Sequence, residues 1–271
     1  MLPALQSQPL FLTPSAHPAA SRALASLFAA EPGHLETLRR PSYLQNPDTG
    51  TVRLEISGLI LKGVGGSIPG CIFDLDDVHA AAALAEQTGA DLHLRIESGG
   101  GSASGIPEAG AAIARARAAG CRTLAYSETI MGSAAYWLAS SCEVIAAAPT
   151  ALVGSVGVYT VIEDFSKMLE AQGIAVHVLR SGSLKGAGIP GAPVTEEEIA
   201  HVQARVDSLA AQFFAHVTAA RAHAGLQSEH VFTGGAWLGA DALALGLLDA
   251  VEDTEARLLA AISLAAQNAP L

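Results

Sequence analysis

Residues 121–149 are CRTLAYSETIMGSAAYWLASSCEVIAAAP, and this stretch predicts a strand, a short apolar helix and a second strand in close succession. A similar unit precedes it, with an alternating strand at 90–98 (ADLHLRIES) and a helix over about 106–119. Regular alternation of strands and helices favours an α/β fold with a largely parallel sheet. Parallel sheets are covered on both faces, which agrees with a chain that is 50% hydrophobic.

The chain divides by composition into three parts. Residues 1–48 are rich in proline, serine and alanine, which predicts an N-terminal arm or extension. Residues 49–255 carry the alternating strands and helices and are predicted to form the folded domain. Residues 256–271 predict a C-terminal helical tail.

The second half of the domain contains a strand, a loop and a long helix in the prediction. The strand is IAVHVLRS at 174–181, and a glycine- and proline-rich loop follows it. The long helix begins at Thr195, where Thr-Glu-Glu-Glu fits a capping box. GAGIPG at 186–191 matches the dinucleotide-binding pattern G-x-G-x-x-G, but Pro190 stands where the helix should begin, so a dinucleotide site is disfavoured.

Charge and cysteine content disfavour several classes of protein. The 271 residues include 15 Lys and Arg against 26 Asp and Glu, a formal net charge of −11, so no nucleic-acid partner is expected. The sequence has neither a secretory signal nor a long uninterrupted apolar stretch, so we expect a cytoplasmic protein without a membrane span. Cys71, Cys121 and Cys142 form no disulfide framework and no metal-binding spacing. We therefore expect no metal and no cofactor.

Lysine is scarce, and this scarcity draws attention to Lys185. Only three of the 15 basic residues are lysines, namely Lys62, Lys167 and Lys185. A lysine can lose its proton and act as a base, whereas arginine cannot. Lys62 ends a predicted strand, and Lys167 lies on a predicted helix face. Exposure to solvent accounts for both of these lysines without a function. Lys185 lies in a tight loop after an apolar strand and is the functional candidate of the three.

A serine and a glycine run form the second and third candidates. Ser133 stands at a turn into the short apolar helix, where its hydroxyl is either an exposed nucleophile or the helix N-cap. Gly99, Gly100 and Gly101 follow a predicted strand, either as a flexible loop or as backbone that approaches a substrate closely. A serine nucleophile needs a base, which can be lysine or histidine.

None of the nine histidines has a recognisable catalytic spacing. His201, His216 and His223 fall on the long helix, where we expect a solvated face. Lys185 therefore stays the stronger candidate for the base.

Four segments in chain order resemble the SppA-type serine peptidases, the family that includes bacterial signal peptide peptidase and the prohead proteases of tailed phages. The resemblance covers roughly residues 52–251. The segments are IESGGGSASG at 96–105, MGSAAYWLASSCEVIAAAPTALVGSVGVY at 131–159, GIAVHVLRSGSLKGAGIP at 173–190 and FTGGAWLGADALALGLLDAVED at 232–253.

The resemblance implies a ClpP/crotonase-like fold with a spiral, largely parallel sheet and flanking helices, and it implies a Ser/Lys dyad. By position, Ser133 would be the nucleophile and Lys185 the general base. The backbone N–H groups of Gly100, Gly101 and Ala134 would form the oxyanion hole. The family is also known for homo-oligomers, some of which build each active site from neighbouring subunits, so the dyad is expected within or between subunits.

Two positions depart from the family pattern. Glu97 stands where the family has aspartate, and Gly99 stands where it has proline. Glycine in place of proline loosens the loop and lowers its preorganisation. The departures leave the expected dyad untouched and weaken the expected oxyanion hole.

The phage branch of the family fits better than the membrane-bound branch, because of the AAYWLAS form of the helix and the Gly-x-Gly-x-Pro after the lysine. That branch implies scaffold, portal or capsid proteins as substrates, in the host cytoplasm or the procapsid. Three alternatives stay open: a cytoplasmic signal-peptide-peptidase-like protease that degrades peptides, an inactive assembly factor, and an acyl-CoA enzyme on the same fold.

Overall fold

The computed structural model describes residues 10–12 and 38–267. The strands in this part are β1 (Leu10–Leu12), β2 (Tyr43–Gln45), β3 (Val52–Ser57), β4 (Leu59–Leu61), β5 (Ile72–Asp74), β6 (Leu92–Glu97), β7 (Gly100–Ser102), β8 (Thr123–Ser127), β9 (Ile130–Gly132), β10 (Val144–Ala147), β11 (Leu152–Gly154), β12 (Ala236–Leu238) and β13 (Ala250–Val251). The α-helices are α1 (Asp76–Thr88), α2 (Ile106–Ala118), α3 (Ala134–Ser140), α4 (Ser166–Ala171), α5 (Glu196–Ala220), α6 (Ser228–Val231), α7 (Gly239–Ala244) and α8 (Glu255–Gln267).

A six-stranded sheet forms the centre of the fold, in the order β13-β10-β8-β6-β3-β2. All neighbours in it are parallel except β2, which pairs antiparallel with β3 at the edge. The α/β fold with a largely parallel sheet, predicted from the alternation of strands and helices, is confirmed.

Two smaller sheets cover the carboxyl ends of the central strands. One has the order β1-β7-β4-β5, and the other has the order β12-β11-β9. Each central strand from β3 to β10 continues directly into a strand of a smaller sheet, as β3 does through Gly58 into β4. Gly58 has φ 80°, and a Cβ there would lie 2.4 Å from the Cys71 carbonyl oxygen, so only glycine fits this turn.

The core lies between the central sheet and the alanine-rich helices α1 and α2. Val52, Leu54 and Ile56 alternate with more exposed residues along β3 and are fully buried. Leu92 and Ile96 do the same on β6. Each such side chain contributes about 1.5–3 kcal/mol by leaving water. The period-two pattern of the sequence therefore fixes which face of each strand meets the helices.

The strand predicted at 174–181 is wrong. The structure has irregular backbone there, and Ile174 and Leu179 are 50% and 97% exposed. Apolar alternation gives a strand only where a neighbouring strand supplies hydrogen bonds, and this segment lies on the surface.

The long helix predicted from Thr195 is confirmed as α5. Thr195 Oγ1 accepts from the Glu198 backbone N–H at 3.2 Å, and the Glu198 carboxylate accepts from the Thr195 N–H at 3.0 Å. Arg180 also donates to Glu198, at 2.6 Å. These hydrogen bonds hold the pKa of Glu198 below its usual range. The capping box therefore also anchors the loop that precedes the helix.

Both predicted chain ends fall partly outside the described residues. Of the predicted arm, residues 1–9 and 13–37 lie outside them, and so do residues 268–271 of the predicted tail. Within the described part, α8 packs on the central sheet, with Leu258 buried against Leu124 and Tyr126.

Asp249 ties the last strand to the core. Its carboxylate accepts from Arg221 Nη1 and Nη2 at 3.0 and 2.7 Å and from the Ile145 backbone N–H at 2.8 Å. The Arg221 side chain is 1% exposed. Burial acts to raise the pKa of Asp249, but the hydrogen bonds from Arg221 and Ile145 outweigh it and hold the pKa below its usual range.

Asp249→Asn is expected to lower the free energy of unfolding at pH 7 by about 3 kcal/mol, because it leaves the Arg221 charge buried without its partner. Since the pKa of Asp249 is lowered by folding, its contribution is complete above about pH 4, the unfolded-state value, and is lost as the pH falls further. The difference in the free energy of unfolding between wild type and Asp249→Asn should therefore be smaller at pH 3 than at pH 7. Urea denaturation at both pH values measures this difference.

Asp253→Asn is the matched control. Asp253 pairs with Arg257 on the surface, where their side chains are 62% and 66% exposed. Loss of this ion pair should lower the free energy of unfolding by less than about 1 kcal/mol. Equal losses of stability in the two variants would contradict the role assigned to Asp249.

Candidate active site

Ser133 occupies an unusual backbone position at the carboxyl end of the central sheet. It precedes α3, is fully buried and has φ 54° and ψ −116°. Ser133 is the N-cap residue of α3 by position, but its side chain makes no capping hydrogen bond to the helix, so capping does not account for the hydroxyl. The hydroxyl instead donates to the Gly157 carbonyl oxygen at 3.5 Å, a long contact. Positive φ is costly for a residue with a Cβ, and such strain clusters at functional sites.

Ser98 joins the glycine run to the Ser133 turn. Its backbone N–H donates to the Ile130 carbonyl at 3.0 Å, and its carbonyl accepts from the Gly132 N–H at 3.0 Å. Its hydroxyl donates to the Gly58 carbonyl at 2.6 Å. These bonds fix the end of β6 beside the residue that precedes Ser133. The structure thus brings two of the three predicted segments together.

Glu97, the position that departs from the family aspartate, holds the loop between β8 and β9. Its carboxylate accepts from the backbone N–H groups of Glu128 and Thr129 at 2.9 and 3.1 Å and from the Thr129 hydroxyl. That loop leads through β9 into Ser133. Glutamate at this position therefore helps to position the candidate nucleophile.

The three predicted oxyanion-hole residues have different surroundings. The Gly100 N–H donates to Ser98 Oγ at 3.1 Å. Gly101 is paired in β7 with Ile60 on one side and Phe11 on the other. Ala134 is the first residue of α3, where an N–H has no partner within the helix. By geometry, Ala134 is the most available of the three donors.

Gly101→Ala is expected to lower the free energy of unfolding by about 2 kcal/mol. A Cβ on Gly101 would lie 1.9 Å from the Ile60 carbonyl oxygen, and backbone cannot move aside cheaply. Gly182→Ala is the control, because a Cβ there meets nothing within 4 Å. It should change stability by less than about 0.5 kcal/mol. Urea denaturation measures the free energy of unfolding of both variants. Equal losses in Gly101→Ala and Gly182→Ala would contradict the close packing of β7.

Lys185 lies on the surface, in the loop over 181–193. Its side chain is exposed, and no residue from 157 to 190 is buried. Its backbone N–H donates to the Gly182 carbonyl at 3.0 Å. Among residues 10–12 and 38–267, no hydrogen bond or ion pair joins its ammonium to another side chain. Within one chain, the structure therefore does not bring Lys185 into hydrogen-bond contact with Ser133.

Ser155 is a second strained serine that the sequence analysis missed. It is buried, has φ 54°, and donates its N–H to the Gly235 carbonyl at 2.5 Å. It follows Gly154, whose carbonyl accepts from the Ser133 N–H at 2.7 Å. The G-S-V-G pattern at 154–157 was the available signal. The site therefore holds two buried serines with the same positive φ.

The prediction that His216 lies on a solvated helix face is wrong. Its ring stacks on Trp137 with centroids 4.7 Å apart, and its Nε2 lies 3.0 Å from Ser140 Oγ. Burial lowers the pKa of His216 and favours the neutral ring. The Ser140 hydroxyl donates to the Trp137 carbonyl at 2.9 Å, within its own helix. The contact between Ser140 and His216 thus links α3 to α5.

Within residues 10–12 and 38–267, no group of three or more His, Cys, Asp or Glu side chains is arranged to hold a metal ion. In the same part of the chain, none of the helices combines the length and the apolar character needed to cross a bilayer.

The chain is similar to curated bacterial proteases and to a solved hydratase. Protease 4 of Salmonella typhi is 28% identical over 172 residues, which cover 64% of this chain and 28% of that protein. A probable protease SohB of Buchnera aphidicola subsp. Schlechtendalia chinensis is 28% identical over 176 residues, which cover 65% and 57%. The chain thus spans less than two thirds of either relative. A solved enoyl-CoA hydratase from Mycobacterium smegmatis has 14% identity and a TM-score of 0.49, over 84% of this chain and 76% of the hydratase.

The family model described as "Peptidase family S49" matches residues 115–268. This match covers more than half of the chain and includes both Ser133 and Lys185. The family-level resemblance to SppA-type peptidases is confirmed by it and by the protease relatives. The chain therefore belongs to peptidase family S49.

Proposed function

We propose that this protein is a serine endopeptidase in which Ser133 is the nucleophile and Lys185 the general base. The observation that carries the proposal is the backbone of Ser133, which holds a buried hydroxyl at φ 54° without using it as a helix cap. Strain of this kind persists where the surrounding structure requires it. Membership of peptidase family S49 supports the same reaction.

The proposed reaction begins when the neutral amine of Lys185 takes the proton of the Ser133 hydroxyl. The Ser133 oxygen bonds to the carbonyl carbon of the peptide, and the N–H groups of Ala134 and Gly101 stabilise the resulting oxyanion. The tetrahedral intermediate collapses, the C–N bond breaks, and the lysine gives its proton to the leaving amine. Water, deprotonated by the same lysine, then hydrolyses the ester and releases Ser133.

We place the completed dyad between subunits of a homo-oligomer. The surface position of Lys185 supports this, because a neighbouring copy is then needed to bury its amine against a serine. The segment around it also exposes apolar side chains, which favour contact with a partner. These are Val161, Phe165, Met168, Ile174, Leu179 and Ile189.

Mixing two inactive variants tests the shared site. If Ser133→Ala and Lys185→Ala subunits are co-refolded, mixed oligomers should regain up to about a quarter to a half of the wild-type cleavage rate. Each variant refolded alone should stay inactive. No recovery, in mixtures shown by native mass spectrometry to contain both subunits, would place the dyad within one chain.

The proposed substrates are scaffold, portal or capsid proteins of a phage or prophage, cleaved in the host cytoplasm or in the procapsid. The AAYWLAS segment at 134–140 and the KGAGIP segment at 185–190 support this branch. The alternative substrates are peptides, as for a cytoplasmic signal-peptide-peptidase-like enzyme. A structural assembly role without catalysis is the outcome that remains if no cleavage occurs.

Incubation with an unfolded protein, followed by mass spectrometry of the fragments, tests the peptidase activity. Wild type should release fragments with shared residues at their new ends. The same assay with phage capsid and scaffold proteins as substrates tests the substrate class. Cleavage of the unfolded protein but not of these partners would favour the peptide-degrading alternative. No cleavage of either, by the assembled oligomer, would contradict the proposed function.

A further inference from the structure

The N-terminal strand β1 occupies the outer edge of β7. The pairing is antiparallel, with Leu10 opposite Ser102, Phe11 opposite Gly101 and Leu12 opposite Gly100. The other edge of β7 is filled by β4, through Ile60. Without β1, β7 would therefore present a free edge with unpaired backbone N–H and C=O groups, which is a template for an added strand.

The composition of β7 makes this edge suited to an extended peptide of varied sequence. Gly100 and Gly101 carry no side chains, and Ser102 is buried. Recognition at such an edge depends on backbone hydrogen bonds, which any extended segment can supply. The segment that fills it is Leu-Phe-Leu, so the edge accepts an apolar strand.

The edge lies beside Ser133. Ser98, two residues before β7, is bonded to Ile130 and Gly132, and β7 packs against α3. Because the pairing is antiparallel, Leu12 lies opposite Gly100, the end of β7 that is nearest to Ser98. A peptide bound in this direction therefore runs toward the candidate nucleophile.

We propose that Leu10–Leu12 is a built-in occupant of the outer edge of β7, which excludes extended peptides from that edge until it is displaced. The consequence for catalysis rests on the proposed peptidase function, whereas the binding site itself does not.

Proline substitution empties the edge in the full-length chain. Alternate residues of an antiparallel strand bond to the partner, so either Phe11 or the pair Leu10 and Leu12 supplies the backbone donors. Phe11→Pro and the double variant Leu10→Pro/Leu12→Pro together cover both cases, because proline has no N–H. Phe11→Ala and Leu10→Ala/Leu12→Ala are the matched controls, since they keep the backbone donors.

Binding is measured in a Ser133→Ala background with a fluorescein-labelled peptide of residues 6–15, QSQPLFLTPS. The more disruptive proline variant should bind it at least 10-fold more tightly than its alanine control. Amide hydrogen exchange at Gly100–Ser102 should be faster in that variant and slow again when the peptide is added. Equal affinity in proline and alanine variants, with unchanged melting temperatures, would overturn the proposal.

Activity separates this inference from the proposed function. With Ser133 present, the proline variant should cleave a fluorogenic apolar peptide several-fold faster than its alanine control, and the peptide of residues 6–15 should inhibit it. If the wild type cleaves but the proline variants neither bind the peptide nor gain activity, the inference fails while the peptidase stands. If they bind the peptide and no variant cleaves, the binding edge stands and the proposed peptidase fails.

Discussion

Ser133→Ala is expected to reduce kcat for peptide cleavage by about 10³-fold or more, because it removes the oxygen that forms the acyl-enzyme. Alanine keeps the Cβ of serine, so the strained turn before α3 should be preserved. The hydroxyl makes one long hydrogen bond, at 3.5 Å to Gly157, and its loss should cost little stability. Initial rates on a fluorogenic peptide, with thermal melting as the check on folding, measure both effects.

Ser155→Ala is the matched control for this prediction. Ser155 is also buried and also has φ 54°, so it shares the backbone geometry of Ser133 without being the proposed nucleophile. We expect its kcat to stay within a few-fold of the wild type. If Ser155→Ala were inactive and Ser133→Ala active, the nucleophile would have been assigned to the wrong serine.

Lys185→Arg is expected to lose about 10²- to 10⁴-fold in kcat, as much as Lys185→Ala, because arginine keeps the charge but cannot accept a proton. Since the Lys185 side chain is exposed within one chain, neither substitution should alter the melting temperature of the protomer.

Lys167→Arg controls for the loss of any lysine from this surface. Lys167 is exposed on α4 and should tolerate arginine with no change in rate. Full activity in Lys185→Arg would show that another group is the base.

The sequence predicted the central sheet and its helices because their signals are local. Alternation along 52–57 and 92–97 determines which side chains enter the core, and glycines mark where α1 ends and the chain turns at Gly58. The division into three sheets could not be predicted, because it depends on which short strands meet in space. The pairing of Leu10–Leu12 with Gly100–Ser102 joins segments about 90 residues apart and leaves no pattern in a three-residue strand.

Part of the candidate site could also be predicted, because the signals for that part are local. Ser133 and the glycine run follow neighbouring parallel strands, so the fold itself brings their carboxyl ends to one edge. Lys185 follows a segment whose apolar alternation suggests a buried strand, yet no strand of the described residues pairs with that segment. His216 was assigned to solvent because its helix is polar overall, whereas Trp137 provides a stacking surface that only the tertiary structure shows.

Trapping of an acyl-enzyme tests whether Ser133 is the nucleophile. The protein is mixed with the p-nitrophenyl ester of an apolar dipeptide, quenched in acid within seconds and digested for tandem mass spectrometry. We expect the acyl mass on Ser133 in wild type and its absence in Ser133→Ala. Acylation of another residue, or rapid release of p-nitrophenol by wild type and Ser133→Ala alike, would contradict it.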